Sequence, residues 1–152
     1  MKYYIKTFCL FTTLIIFTNS CDNSIYGCMD PDSKNYDELA NTDDGSCEYG
    51  SKIFLWWDQA QEDEFYAYDV TSLTITIDGL LSGSILNVDN QSWTTVDLTC
   101  ENPNNIFMSE IEMPSADNKT ISIRAVDQTG EEIYNEVKIV QANICHFYKI
   151  VW

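Results

Sequence analysis

From Ser51 onward the apolar side chains recur at every second position, and this period is what most restricts the fold. In LTITID, Leu73, Ile75 and Ile77 fall on one face of an extended chain, while Thr74, Thr76 and Asp78 fall on the other. Asp78-Gly79 follows as a two-residue turn signal before a second apolar run, LLSGSILNV, so a hairpin is predicted there. KIFLWW, EFYAYDV, SWTTVDL, IFMSEIEM, KTISIRAV, EEIYNEVKIV and ICHFYKIVW have the length and residue types of further short strands. DNQ, ENPNN, PSADN, DQTG and QAN separate them, and DQTG reads as the link of another hairpin. Helical spacing is sustained nowhere in this part of the chain. Many short strands punctuated by turns in about 100 residues predict an all-β fold, a small antiparallel β-sandwich of immunoglobulin-like or related Greek-key topology, over residues 51–152.

The first 20 residues do not belong to that pattern. Lys2 and Lys6 precede TFCLFTTLIIF, an uncharged and mostly apolar run of 11 residues, and polar TNSC follows. The run is too short to span a bilayer and has the make-up of a signal-peptide core. It resembles a bacterial lipoprotein signal of the Bacteroidota type, cut immediately before a cysteine that takes the lipid. The resemblance implies that residues 1–20 are removed and that Cys21 is lipidated. It also implies a cell-envelope protein held in the outer membrane through that residue and exposed at the surface.

Export sets the chemistry of the cysteines. Of six, Cys9 leaves with the signal and Cys21 is used by the lipid, so Cys28, Cys47, Cys100 and Cys145 remain for an oxidising compartment. Three pairings are open to four cysteines. Cys28 with Cys47, and Cys100 with Cys145, is the expected one, because it keeps each bridge within one structural unit.

The first of those pairs bounds a segment of unusual charge, GCMDPDSKNYDELANTDDGSCEY, in which seven acids face Lys34 alone. Residues 21–50 have too few apolar side chains to fold on burial alone. Calcium takes about 6 to 8 oxygen ligands from carboxylates, amides and backbone carbonyls, which is one way to hold such a segment. The same Asp and Asn residues also make turns by accepting from nearby backbone amides, which is another. The spacing is not that of an EF-hand. NYD, AN, DDGSC and Tyr49 together resemble a cysteine-bounded module of bacterial surface proteins that is similar to thrombospondin type 3 calcium repeats. That resemblance implies a calcium-associated acidic spacer over residues 21–50, with Asp30, Asp32, Asp37, Asn41, Asp43 and Asp44 as candidate ligands.

Charge and missing motifs narrow the function. The whole chain carries −16, and residues 21–152 hold 6 basic against 24 acidic side chains. Nucleic acid needs clustered Lys and Arg and is not expected as a partner. Cys145 and His146 are neighbours on an extended chain and point to opposite faces, so they do not form a catalytic dyad. No second histidine completes a zinc site, and nucleophile-elbow and phosphate-loop patterns are absent. Asp58, Glu62, Asp63 and Glu64 in DQAQEDEF offer paired carboxylates, but in so acidic a chain they read as a solvated loop. The expected function is therefore non-enzymatic, a structural or adhesive interaction with an envelope partner. The alternative is carbohydrate binding through exposed aromatics, with Trp56, Trp57 and Tyr66 as candidates. Alternation puts one of Trp56 and Trp57 outside.

Overall fold

The computed structural model describes residues 23–88, 99–101 and 106–152. The signal segment, Cys21, Trp93 and the strand expected at SWTTVDL lie outside these residues. Two minimal strands, β1 (Tyr26–Gly27) and β2 (Thr42–Asp43), pair in parallel within the acidic segment. They are followed by β3 (Tyr49–Trp56), α1 (Gln59–Ala67), β4 (Ser72–Ile77), β5 (Leu80–Leu86), β6 (Phe107–Met113), β7 (Lys119–Asp127), β8 (Glu132–Val140) and β9 (Cys145–Lys149).

β3 to β9 make the sandwich. One sheet has the order β5-β4-β7-β8, all antiparallel. In the other, β3 lies between β6, antiparallel to it, and β9, parallel to it. At one corner the Ser109 hydroxyl donates to that of Ser82 at 3.3 Å, and at the other the Tyr148 hydroxyl reaches the Ile139 carbonyl. Round the molecule the order is β3-β6-β5-β4-β7-β8-β9. β4, β5 and β6 follow one another and β3 returns beside β6, which is a Greek-key arrangement. Among the described strands, β3 is the central one of the smaller sheet.

The alternation seen in the sequence selects the inner face. Ile53, Leu55 and Trp57 meet Leu73, Ile75 and Ile77 from β4 and Ile121, Ile123 and Ala125 from β7 in one buried cluster. Full burial of such a side chain contributes about 1.5–3 kcal/mol. Both expected hairpins form. Asp78 (φ 51°) and Gly79 (φ 76°) link Ile77 to Leu80 in the left-handed region that a two-residue hairpin needs. The Asp78 carboxylate also accepts from the Ser122 amide at 2.9 Å and pairs with Lys119 at 3.0 Å, which fixes the turn to β7.

One element overturns an expectation. EFYAYDV is not a strand and DQAQEDEF is not a loop, because Gln59–Ala67 is the helix α1. Asp58 caps it by accepting from the Gln61 amide at 3.2 Å, the start of a capping-box pattern. Gln61 and Phe65, one turn apart, are its buried positions. It ends with Asp69 at φ 56° and with the Val70 amide bonded to the Phe65 carbonyl at 2.8 Å, a Schellman closure in which Asp takes the place usual for glycine. A helix that buries two side chains leaves too narrow an apolar stripe for periodicity to reveal.

Candidate functional site

The acidic segment is a closed ring. Cys28 and Cys47 are bonded, as are Cys100 and Cys145, which is the expected pairing. Inside the ring most of the candidate ligands are engaged in turns. The Asp30 carboxylate accepts from the Asp32 amide and the Tyr49 hydroxyl, Asp37 from the Leu39 amide, Asp43 from the Gly45 amide and Asp44 from the Ser46 amide. The Asn41 side chain accepts from the Ile25 amide and donates to the Asn23 carbonyl, closing the ring onto its entrance. Asn35 does the same at the exit, accepting from Glu48 and donating to Ser46.

These residues do not converge on a point. Among the described residues no group of three or more His, Cys, Asp or Glu side chains is placed to hold a metal ion. The carboxylates of Asp30, Asp37, Asp43 and Asp44 and the side chain of Asn41 each accept a nearby backbone amide, as the turn reading of these residues expects.

The ring is docked on one pole of the sandwich. Lys34 forms an ion pair with Glu110 on β6, and the Asn143 side chain donates to the Asp32 carbonyl. The Asn143 amide also donates to the Gly50 carbonyl at the start of β3, so a single residue in the β8–β9 turn clamps both units. Gly50 is buried directly beneath the Lys34 amine, so a side chain there would have to displace that amine. The Tyr49–Asp30 hydrogen bond raises the Tyr49 pKa to about 12 and holds the Asp30 carboxyl below the usual range, helped by the Asp32 amide. None of the docking partners Glu110, Asn143 and Gly50 was marked by the sequence reading. The only signal was that QAN is a turn and that Asn tolerates the φ of 60° found at Asn143.

The opposite pole carries α1 and the chain's last residues. β3 runs from Tyr49 at the ring to Trp56, eight residues or about 23 Å away at strand spacing. Trp56 is half-buried on the outer face, with the Lys149 amine 5.8 Å from its ring centre, and Lys149 pairs with Asp58 at 2.5 Å. The ion pair and the helix cap hold the Asp58 carboxyl below its ordinary pKa. Tyr66 is 75% exposed, Tyr68 68% and Trp152 38%. Tyr68 and Trp152 meet edge to face at 4.9 Å, and the Trp152 amide donates to the Gln61 side chain at 2.7 Å.

Trp57 corrects the third aromatic candidate. It is fully buried and packs edge to face on Phe65 at 5.5 Å, so it offers no surface to a ligand. Cys145 and His146 are also accounted for, the first by its disulfide and the second by its contact with the Gln141 backbone in the β8–β9 turn.

Comparison with protein-family models, with curated proteins and with solved structures finds no match for this chain.

Proposed function

We propose that this chain is a lipid-anchored envelope protein whose disulfide ring is a stiff foot and whose β-sandwich makes non-enzymatic contacts with its far pole. The observation that carries this reading is the placement of ring and exposed aromatics at opposite ends of β3. The lipidation candidate Cys21 is two residues before Asn23, whose carbonyl is held by Asn41 in the ring. An anchor there directs the pole with Tyr66, Tyr68 and Trp152 away from the bilayer. More than one acyl chain on Cys21 gives stable attachment where a single chain gives only marginal binding.

The test is metabolic labelling of the full chain in a Gram-negative host with a clickable palmitate analogue. Wild type incorporates the label and Cys21→Ser does not; equal labelling of both would end the proposal. Protease treatment of intact cells then separates surface display from a periplasmic orientation.

A second reading, carbohydrate binding, is favoured by the far-pole aromatics, since tyrosine and tryptophan join an apolar ring to a polar tip. Trp56 and Tyr66 remain candidates, and Tyr68 and Trp152 join them. A glycan array comparing wild type with Trp152→Ala and Tyr66→Ala decides it. Signals that both variants lose support this reading, and a blank or unchanged array removes it.

A further inference from the structure

The ring leaves most of its apolar side chains uncovered. Ile25, Tyr26, Met29, Tyr36 and Leu39 are all exposed, Tyr26 by 62% and Leu39 by 69%. Four of them belong to two segments that lie side by side. Tyr26 and Gly27 pair with Thr42 and Asp43, and the Asn41 and Thr42 amides both donate to the Ile25 carbonyl, at 2.9 and 3.2 Å. A Cβ at Gly27 would stand 3.2 Å from that of Ala40 and 3.3 Å from that of Asp37, and Asp37 lines one open groove with Tyr36 and Leu39. The contacts that dock the ring on the sandwich use other residues, Asp30 with Tyr49, Asp32 with Asn143 and Lys34 with Glu110.

What meets this apolar edge follows from the tether. Cys21 precedes Ile25 by four residues, so their Cα atoms are no more than about 14 Å apart even in an extended chain. Asn41 leaves less of that length free, because its side chain holds the Asn23 carbonyl. An acylated Cys21 has its backbone at the headgroup layer, which brings Ile25 and Tyr26 to the same level with Tyr36 and Leu39 alongside. Tyrosine is favoured at that depth, where its apolar ring and polar tip are both accommodated.

We propose that Ile25, Tyr26, Tyr36 and Leu39 seat the ring in the headgroup layer of an uncharged bilayer surface, an inference that rests on the lipid anchor at Cys21. Charge selects the kind of lipid. Residues 21–50 hold one basic and eight acidic side chains, so an anionic surface repels the ring while a zwitterionic one does not. The acyl chains attach the protein, and the seat decides which side of the ring faces the membrane.

The test supplies the anchor chemically. With both disulfides closed, Cys21 is the one thiol of the chain from residue 21, and it is coupled to a maleimide bearing a single tetradecyl chain. One such chain binds membranes only marginally and reversibly, so a contribution from the ring is readable as a change in partition. Sedimentation with phosphatidylcholine vesicles measures it. Combined Ile25→Ser, Tyr26→Ser and Leu39→Ser should weaken partition at least about fivefold, as loss of apolar burial requires. Leu80→Ser with Leu81→Ser, which removes equally exposed leucines from the sandwich, should leave it within about twofold of wild type. Vesicles containing about one third phosphatidylglycerol should bind wild type more weakly. Thermal melting verifies folding, and Tyr26→Ser with Leu39→Ser replaces the triple variant if the latter is unfolded. The seat is overturned if the ring variant partitions like wild type or if the sandwich variant loses as much. Equal or stronger binding to the anionic vesicles overturns the choice of an uncharged surface. Because the alkyl chain is attached in vitro, absence of the palmitate label in cells bears on the anchor alone, and an unchanged ring variant bears on the seat alone.

Discussion

Asp127 shows what a single residue contributes to this fold. It is buried at the end of β7, and one carboxylate oxygen accepts from the Thr129 amide, the Thr129 hydroxyl and the Glu131 amide at 2.7–2.8 Å, while Gly130 takes the left-handed φ of 91°. Burial pushes its pKa up, but these hydrogen bonds together outweigh burial and hold it below the ordinary value. A depressed folded pKa stabilises at pH above the unfolded value of about 3.9, and that stability is lost as pH falls through the folded value. Asp127→Ala should cost about 2–3 kcal/mol at pH 7, measured by urea unfolding, because it orphans three donors in one turn. Asp127→Asn should cost less, and its deficit relative to wild type should shrink below pH 4 as the wild-type carboxyl protonates. Tyr49→Phe is the matching change at the ring. It should raise the Asp30 pKa toward the ordinary value in a carbon-detected NMR titration, and an unmoved Asp30 would show that Tyr49 is not its partner. DQTG was legible as a turn from its residue types, whereas the Tyr49–Asp30 contact was not, since nothing in the sequence relates positions 19 apart.

At the scale of elements, strands were readable because each carries its own pattern, and α1 was not because its pattern is nearly silent. Its cap was there to be read, Asp58 with Gln61 three positions on, but EFYAYDV imitated alternation more strongly. Asp58→Ala removes both the cap and the Lys149 pair and should destabilise the protein by about 1–2 kcal/mol, with a loss of helix signal in far-UV dichroism. Trp57→Ala should cost about 3–5 kcal/mol, as truncation of a fully buried aromatic does. A variant that melts like wild type would contradict its place in the core. For the ring, alternation has no meaning, and the sequence left turns and calcium both open. If turns alone hold the ring, millimolar calcium and a chelator give the same melting temperature within about 1 °C, since an ion bound only to the folded ring would raise it. A rise of several degrees would mean that the ring rearranges around an ion.

The whole molecule depends on the ring being fixed to the sandwich. Which unit touches which was hidden from the sequence, because Lys34–Glu110 and Asn143–Asp32 join positions 76 and 111 residues apart. The disulfides could be inferred, since each closes one unit, but the clamp could not. Two variants separate the covalent closure of the ring from its docking. Replacing Cys28 and Cys47 by Ser removes the chain-entropy gain of a bridge spanning 19 residues, about 3 kcal/mol on the loop-closure model. The ring has few buried side chains of its own, so that loss should fall on the ring and leave β4, β7 and β8 protected. Asn143→Gly retains the left-handed turn at φ 60° but removes the side chain that reaches Asp32. Hydrogen exchange should therefore show, in Asn143→Gly, a closed ring that exchanges faster around Asp32 and Lys34 while the sheets stay as in wild type. In the cysteine variant exchange should rise over the whole of residues 28–47. Wild-type exchange in Asn143→Gly would mean that the ring is held on the sandwich without this side chain, by contacts such as Lys34–Glu110 and Tyr49–Asp30.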